Sequence, residues 1–222
     1  MSTQYSLTVT NNSDLSGSFC VYQKAPEQSL YENLYSLAWF SKKCHPGTTV
    51  KFKWDINYCF MWSEAGVLVP GVTFEASEHV DADLDNGAKN IIGFTKEYGA
   101  YKFAPSPVPG TPGELRIVTD STMPTGEASV GIGMSNQPAF AVPATPNFDF
   151  AFIPHPEYWI AFGNFEEGEV IDLNRVTHTA AQVIFRKNVY SLSMELQEDN
   201  TWSTPNSLKE RNALAIAKMK NA

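Results

Sequence analysis

An acidic segment in the first half of the chain, D-A-D-L-D-N-G at residues 81–87, places three carboxylates at every second position. Calcium is bound in proteins by carboxylate and carbonyl oxygens, and oxygen-rich turns are typical of its sites. An EF-hand loop also needs glycine at its sixth position and glutamate at its twelfth, where this chain has Asn86 and Ile92. Two interpretations stay open: an acidic turn that faces solvent, or a calcium site of another kind with the ligands Asp81, Asp83 and Asp85.

The four histidines show no metal-ligand pattern. No two of them have the spacing of a zinc site, and the neighbours Cys44 and His45 are too close together to form a recognisable zinc motif. Each is expected to be a surface or core histidine, and no cofactor is predicted apart from calcium. The other three histidines are His79, His155 and His178.

No catalytic motif can be assigned. The segment G-M-S-N-Q at 133–137 begins like a nucleophile elbow but lacks the closing glycine. The chain has no phosphate-binding loop, and G-I-G at 131–133 lies in a strand pattern rather than before a helix. A thiol and a histidine such as Cys59 and His155 could meet only through the fold. The catalytic residues of any enzymatic function therefore stay unknown.

Several aromatic residues are candidates for ligand contact. Exposed rings at Trp39, Tyr158, Trp159 and Phe162 could stack on sugars or contact lipid headgroups, and exposed apolar patches also serve self-association. Their regular alternation instead favours packing in the core, so both interpretations stay open.

Alternating strands must position these residues. Large apolar side chains occupy every second position from Val50 to Trp62, which predicts one long strand with a continuous apolar face. Cys59 and Met61 make its other face apolar near the end, so we expect a strand from the later half of the chain, such as Val130–Met134, to cover it. Gly131 and Gly133 on one face of that strand predict a close approach by another backbone or ring.

Short strands between turn signals predict an all-β fold, an antiparallel β-sandwich of jelly-roll type with a short C-terminal helix. Residues 4–10 and 18–23 predict an opening hairpin, and residues 91–95 and 100–103 a second one, whereas residues 78–90 read as an acidic surface loop. The Pro-rich segment 105–113 could be a linker between two halves, but we favour a rigid crossing between sheets within one domain that spans 1–204. Residues 205–222 carry a capping box and a basic helical pattern.

Composition limits the function classes. A net charge of −8 argues against general nucleic-acid binding, and a charged fraction of only 18% with 13% aromatic residues suggests a homo-oligomer or a ligand surface. The N-terminus has no secretory pattern, and no apolar run is long enough to cross a membrane. The three cysteines, Cys20, Cys44 and Cys59, are expected to be buried thiols in a cytoplasmic protein.

Six segments together resemble the rhizosphere-expressed RhiA family of bacterial proteins. The resemblance implies a bacterial and cytoplasmic protein from a family without an established reaction, and no functional residue is carried over from it. The segments are Y-S-L-T-V-T-N-N-S, S-F-C-V-Y-Q, L-A-W-F-S-K, V-K-F-K-W-D-I-N-Y, V-G-I-G-M-S and P-H-P-E-Y-W-I-A-F-G.

Three functional hypotheses follow. The first is a non-catalytic β-sandwich protein that acts through self-association or surface binding. The second is a carbohydrate- or lipid-binding module, including one that acts on membranes. The third is an enzyme of unrecognised type, which would need a deep pocket with converging polar groups.

Overall fold

A computed structural model describes residues 3–24, 33–176 and 179–204. In these ranges the chain forms seventeen strands and one helical turn, α1 (Leu173–Val176). The strands are β1 (Gln4–Asn11), β2 (Gly17–Gln23), β3 (Tyr35–Ser36), β4 (Phe40–Cys44), β5 (Thr49–Asp55), β6 (Tyr58–Ser63), β7 (Glu78–Ala82), β8 (Ile91–Glu97), β9 (Ala100–Pro105), β10 (Leu115–Thr119), β11 (Ser129–Met134), β12 (Gln137–Pro143), β13 (Asp149–Phe152), β14 (Tyr158–Gly163), β15 (Ala181–Val183), β16 (Ser191–Leu196) and β17 (Trp202–Ser203).

The strands form four sheets, which confirms the all-β class. The sheet orders are β17-β16-β1-β5, β13-β10-β8-β9, β3-β12-β11-β6-β7 and β15-β14-β2-β4. Most neighbours are antiparallel, but β1 pairs with β16 and β8 pairs with β10 in parallel, which the antiparallel prediction did not include. The jelly-roll order stays a prediction.

One large hydrophobic cluster joins residues of all four sheets. Leu7 and Trp54 belong to the sheet of β1 and β5, and the other three sheets each contribute buried residues. Examples from those sheets are Phe19 of β2, Phe60 of β6 and Ile117 of β10. These residues come from both sides of the Pro-rich segment 105–113. The prediction of one domain over 1–204 therefore has a physical basis, and the unfolding of the Trp54→Ala variant tests it.

The prediction of one long strand from Val50 to Trp62 is wrong. The chain forms β5 and β6 with a bend at Ile56 and Asn57, and the two strands belong to different sheets. The burial pattern of the two halves is nevertheless as expected, because Lys51 and Lys53 are exposed and Cys59 and Met61 are buried.

The covering of Cys59 and Met61 also differs from the prediction. The strand β11 lies beside β6 in the same sheet, with Val130 opposite Trp62. The face that carries the two sulfur side chains packs instead in a second cluster with Leu37, Leu68, Phe74, Ala141 and Val170. The predicted close approach at the glycines is confirmed, because a Cβ on Gly131 would lie 2.1 Å from the Phe140 oxygen.

The other predicted elements had mixed outcomes. The opening hairpin is wrong, because β1 pairs with β5 and β16 whereas β2 pairs with β4 and β14. The hairpin of β8 and β9 is confirmed, and Tyr98 lies at its tip with a positive φ of 51°. The predicted surface loop at 78–90 begins instead as the strand β7.

The Pro-rich segment links two strands of a single sheet. It leaves β9 at the edge, passes β8 and enters β10, so the interpretation as a crossing between sheets is wrong. The predicted helix at 205–222 lies outside the described residues. Among the residues that are described, no helix is long and apolar enough to cross a membrane.

Candidate functional site

An open cavity of about 880 Å³ lies between the edge strands β7 and β9, and we name it the β7–β9 cleft. Its volume falls within the range of small-molecule sites in proteins. Its large apolar side chains from the strands come from two sheets and are Phe60, Val80, Ile91, Ile92 and Phe103. One wall is formed by the Pro-rich segment, with the residues Pro105, Ser106, Pro107, Val108 and Pro109.

The alternation of β7 explains why its side of the cleft is apolar. Val80 pairs with Phe60 and Glu78 pairs with Trp62, so their side chains share one face of the sheet. Val80 and Ala82 pack against the main hydrophobic cluster, whereas His79 is exposed on the other face. In the described part of the chain, β7 pairs only with β6 and β9 only with β8, so the space between these two edges is not filled by a strand.

The carboxylate of Glu78, the first residue of β7, links the two edge strands. Its carboxylate oxygen Oε2 accepts hydrogen bonds from the Trp62 indole Nε1 at 2.9 Å and from the backbone N of Phe103 at 3.4 Å. The Phe60 and Phe103 rings, 6.5 Å apart between centroids, lie next to this bridge. The bridge therefore joins β7 to β9 at the Glu78 end of the cleft.

The Pro-rich wall is fixed to the acidic loop that follows β7. The backbone N of Gly110 donates to the Gly87 oxygen at 2.9 Å, and the N of Gly113 donates to the Leu84 oxygen at 3.0 Å. Buried Asn90 adds a side-chain bond from Nδ2 to the Thr111 oxygen at 2.7 Å. Proline restricts the backbone further, so we expect the wall to be preorganised.

A second, polar cavity of about 740 Å³ adjoins the cleft, and we name it the acidic cavity. Asp81 and Lys89 line both spaces. The other charged residues of the acidic cavity are Asp55 from the end of β5 and Asp83 and Asp85 from the loop after β7. The three aspartates singled out from the sequence therefore lie at one site together with Asp55, which the sequence did not connect to them.

The local geometry gives Asp83 a structural role. Its Oδ1 accepts a hydrogen bond from the backbone N of Asp85 at 3.0 Å, and its backbone N donates to the Lys89 oxygen at 3.2 Å. Among the described residues, no group of three His, Cys, Asp or Glu side chains could hold a metal ion. Calcium binding by Asp81, Asp83 and Asp85 stays a prediction.

The aromatic candidates separate into buried and partly exposed residues. Trp39 and Tyr158 are buried and stack at 5.8 Å between ring centroids, and the Trp39 Nε1 donates to the Met134 oxygen at 2.8 Å. Trp159 and Phe162 are partly exposed. Because Trp39 and Tyr158 belong to the main cluster, they cannot stack on a sugar at the surface.

The cysteines have no disulfide partners, and all three are buried. Burial raises the pKa of the Cys59 thiol to about 11, and burial also raises the pKa values of Cys20 and Cys44. A protonated thiol is a poor nucleophile, and burial also shields these three thiols from solvent. His155 is exposed, whereas Cys59 packs in the second cluster.

Among the histidines in the described ranges, His45 has a ring hydrogen bond, which joins its Nδ1 and the Ser16 hydroxyl at 3.0 Å. His79 is exposed on β7, and His178 lies outside the described residues. The described histidines and cysteines thus do not come together as a nucleophile and a base.

Comparison with known proteins places the chain in a family. The sequence model of the RhiA family matches residues 2–207. The chain belongs to the RhiA family. Protein RhiA of Rhizobium leguminosarum bv. viciae is 38% identical over 207 residues, which covers 90% of this chain and 85% of that protein. No solved structure matches this RhiA family member. The family resemblance predicted from the six sequence segments is confirmed.

Proposed function

We propose that this RhiA family member is a non-catalytic binding protein and that the β7–β9 cleft holds the apolar chain of a small ligand. The observation that carries the proposal is the cavity of about 880 Å³ with an apolar lining between two edge strands. Sites for small molecules are concave and mostly apolar, with a few polar groups at fixed positions. Glu78 supplies such a group at one end of the cleft.

A lipid-like ligand fits the lining better than a sugar. Sugar sites depend on exposed aromatic faces and many hydrogen-bonding groups, whereas the lining here is dominated by Val80, Ile91, Ile92 and the prolines of the wall. Ile91 and Ile92 are buried, so only part of each side chain borders the cleft. The ligand that suits this surface has a flexible apolar chain.

A series of linear alcohols tests the proposal without the influence of ligand charge. Each buried methylene contributes about 0.8 kcal/mol, so affinity should rise about fourfold per added carbon until the cleft is filled. Isothermal titration of octanol, decanol and dodecanol below their solubility limits measures this. Absence of saturable binding for all three alcohols would contradict the proposed function.

Two exposed valines provide a matched pair of variants. Val108 lines the cleft and is 56% exposed, whereas Val67 lies away from it and is 63% exposed. Val108→Asn should weaken decanol binding about fourfold or more, because it replaces apolar lining by an amide. Val67→Asn should leave the affinity unchanged. Equal effects of the two variants would place the binding site elsewhere.

Self-association is a second candidate, favoured by the exposed loop at 67–71. Val67 and Val69 in this loop are 63% and 47% exposed. Exposed apolar side chains that lie together often mark contacts between proteins. Light scattering over a range of protein concentrations tests this, and Val67→Asn with Val69→Asn should shift a homo-oligomer towards monomer. A strict monomer at all concentrations would contradict it.

We also propose a cytoplasmic location. Three free and buried cysteines support it, because thiols persist in reducing compartments. Fractionation of the source bacterium, followed by detection of the protein with an antibody, tests this. Recovery from the periplasm or the medium would contradict it.

A further inference from the structure

We propose that the ligand of the β7–β9 cleft is a cationic amphiphile, whose apolar chain lies in the cleft and whose amine lies in the acidic cavity. The inference rests on the function proposed above and adds the charge of the ligand and the position of its head. It depends on three features of the structure: the contiguity of the two cavities, the sign of the charge around the second, and an unpaired carboxylate oxygen there.

The two cavities are contiguous at β7. Asp81, which directly follows Val80 along the strand, lines both cavities. Lys89, at the other end of the loop that follows β7, also lines both cavities. Ala82 lies on the same face of β7 as Val80 and lines the acidic cavity, so a chain that lies beside Val80 and Phe60 reaches that cavity along this face. The apolar and the polar part of one amphiphile can occupy adjacent spaces without crossing the protein core.

The charge of the acidic cavity favours a cation. Four carboxylates and one amine line it, which gives a net charge of −3 at neutral pH, and they belong to Asp55, Asp81, Asp83, Asp85 and Lys89. Among the described residues, the ion pairs of the protein join other side chains and include none of these five. An anionic head would be repelled by more groups than attract it.

Asp55 supplies the third feature. Its Oδ1 is shielded from solvent and has no hydrogen-bond partner in the described part of the chain, although the residue as a whole is partly exposed. A shielded carboxylate oxygen without a donor is unfavourable, and an arriving ammonium group with three N–H donors can satisfy it. The hydrogen bonds of the Asp55 backbone with Ser135 do not use this oxygen, so a small shift of the side chain would let a ligand amine reach it.

Three ten-carbon ligands separate the charge of the head from the apolar chain. Decylamine, decanol and decanoate are titrated into the full chain by calorimetry at neutral pH, where the amine is charged. We expect decylamine to bind about three- to tenfold more tightly than decanol, and decanoate to bind most weakly. The preference for decylamine should shrink as salt is added, because the acidic cavity is open to solvent.

Two double variants with the same change in net charge localise the effect. Asp83→Asn with Asp85→Asn should lower the decylamine affinity about three- to tenfold and leave decanol unchanged. Glu64→Gln with Glu198→Gln removes two exposed carboxylates outside the cavity and should change neither ligand. An equal loss in both double variants would show a general charge effect and overturn the inference.

Lys89→Gln gives an opposite test. Removal of this exposed amine should raise the decylamine affinity, because a like charge is lost from the cavity. If the cavity instead preferred an anionic head group, decanoate would bind best and Lys89→Gln would lower the decanoate affinity. That result would overturn the inference.

The outcomes distinguish the two levels of the proposal. If none of the three ligands binds, the proposed function fails. If all three bind equally, the apolar cleft is a binding site and the inference about the cation is wrong.

Discussion

The hydroxyl of Ser135 forms two hydrogen bonds with the backbone of Asp55: it accepts from the Asp55 N at 2.7 Å and donates to the Asp55 O at 2.8 Å. Ser135 and Asn136 form the tight turn between β11 and β12, with φ values of 55° and 59°. The pair thus fixes this turn to the bend between β5 and β6. Because Asp55, Ser135 and Asn136 all line the acidic cavity, the contact also shapes that cavity.

Ser135→Ala removes both bonds and leaves two backbone groups of Asp55 without this partner. The free energy of unfolding should fall by about 1–3 kcal/mol, measured by urea denaturation. Ser193→Ala is the control, because Ser193 is exposed on β16 and should change stability by less than about 0.5 kcal/mol. Equal stability of the wild type and Ser135→Ala would show that the contact does not hold the bend.

Trp54→Ala tests whether the chain unfolds as one unit. Trp54 is 2% exposed, and its ring lies 5.1 Å from that of Tyr158 and 5.4 Å from that of Trp39. The variant should lose about 3–5 kcal/mol through the cavity that it creates. Calorimetry should show one transition at a lower temperature, since both sides of the Pro-rich segment share a core. Two separate transitions would show that segment 105–113 divides two domains.

Gly131→Ala tests the close packing of β11 against β12. The new Cβ would lie 2.1 Å from the Phe140 oxygen, so the strands would have to move apart. We expect a loss of about 1–3 kcal/mol, and the β11–β12 pair should exchange its amide hydrogens faster. Gly47→Ala is the comparison, because Gly47 has open space around it but a φ of 74°. Its loss of about 1–2 kcal/mol would come from the backbone conformation alone. The amide exchange of the β11–β12 pair should stay unchanged in this variant.

Alkaline pH should destabilise the protein through Cys59. Burial raises the pKa of its thiol from 9.0 to about 11, so the folded state retains a proton that the unfolded chain releases. The contribution to stability is complete below about pH 9 and is lost as the pH rises towards 11, with a size on the order of 2 kcal/mol. Urea midpoints at several pH values measure the decline. The stability of Cys59→Ala should decline less steeply between pH 9 and 11 than that of the wild type. If the variant and the wild type declined equally, the effect would belong to other groups.

The alternation in 50–62 shows how far the sequence carries a prediction of the fold. It identified the buried and exposed side chains of β5 and β6, because a strand's period reports which face a residue occupies. It missed the bend because Ile56, 41% exposed, fits the alternating pattern as well as a buried residue would. An alternation of apolar and polar side chains does not show whether the chain continues in the same sheet. The change of sheet after Asp55 was therefore not predictable from it.

The candidate site was less accessible to sequence reasoning than the fold. The acidic segment drew attention to Asp81, Asp83 and Asp85, but Asp55 joins them only because the β5–β6 bend places it there. The cleft depends on where β7 and β9, the edges of two sheets, come to lie. Alternation at Glu78 and Val80 was a signal for β7, yet the acidic composition of 78–90 favoured a loop.

Photo-crosslinking tests the central claim most directly, because it locates the apolar chain on the protein. A decanol analogue with a diazirine at the end of its chain is irradiated with the full chain, and the labelled peptides are identified by mass spectrometry. The β7–β9 cleft predicts labels within residues 78–92 and 103–109, and excess decanol should remove them. Labels confined to other segments, such as 67–71, or labels that decanol does not displace, would contradict it.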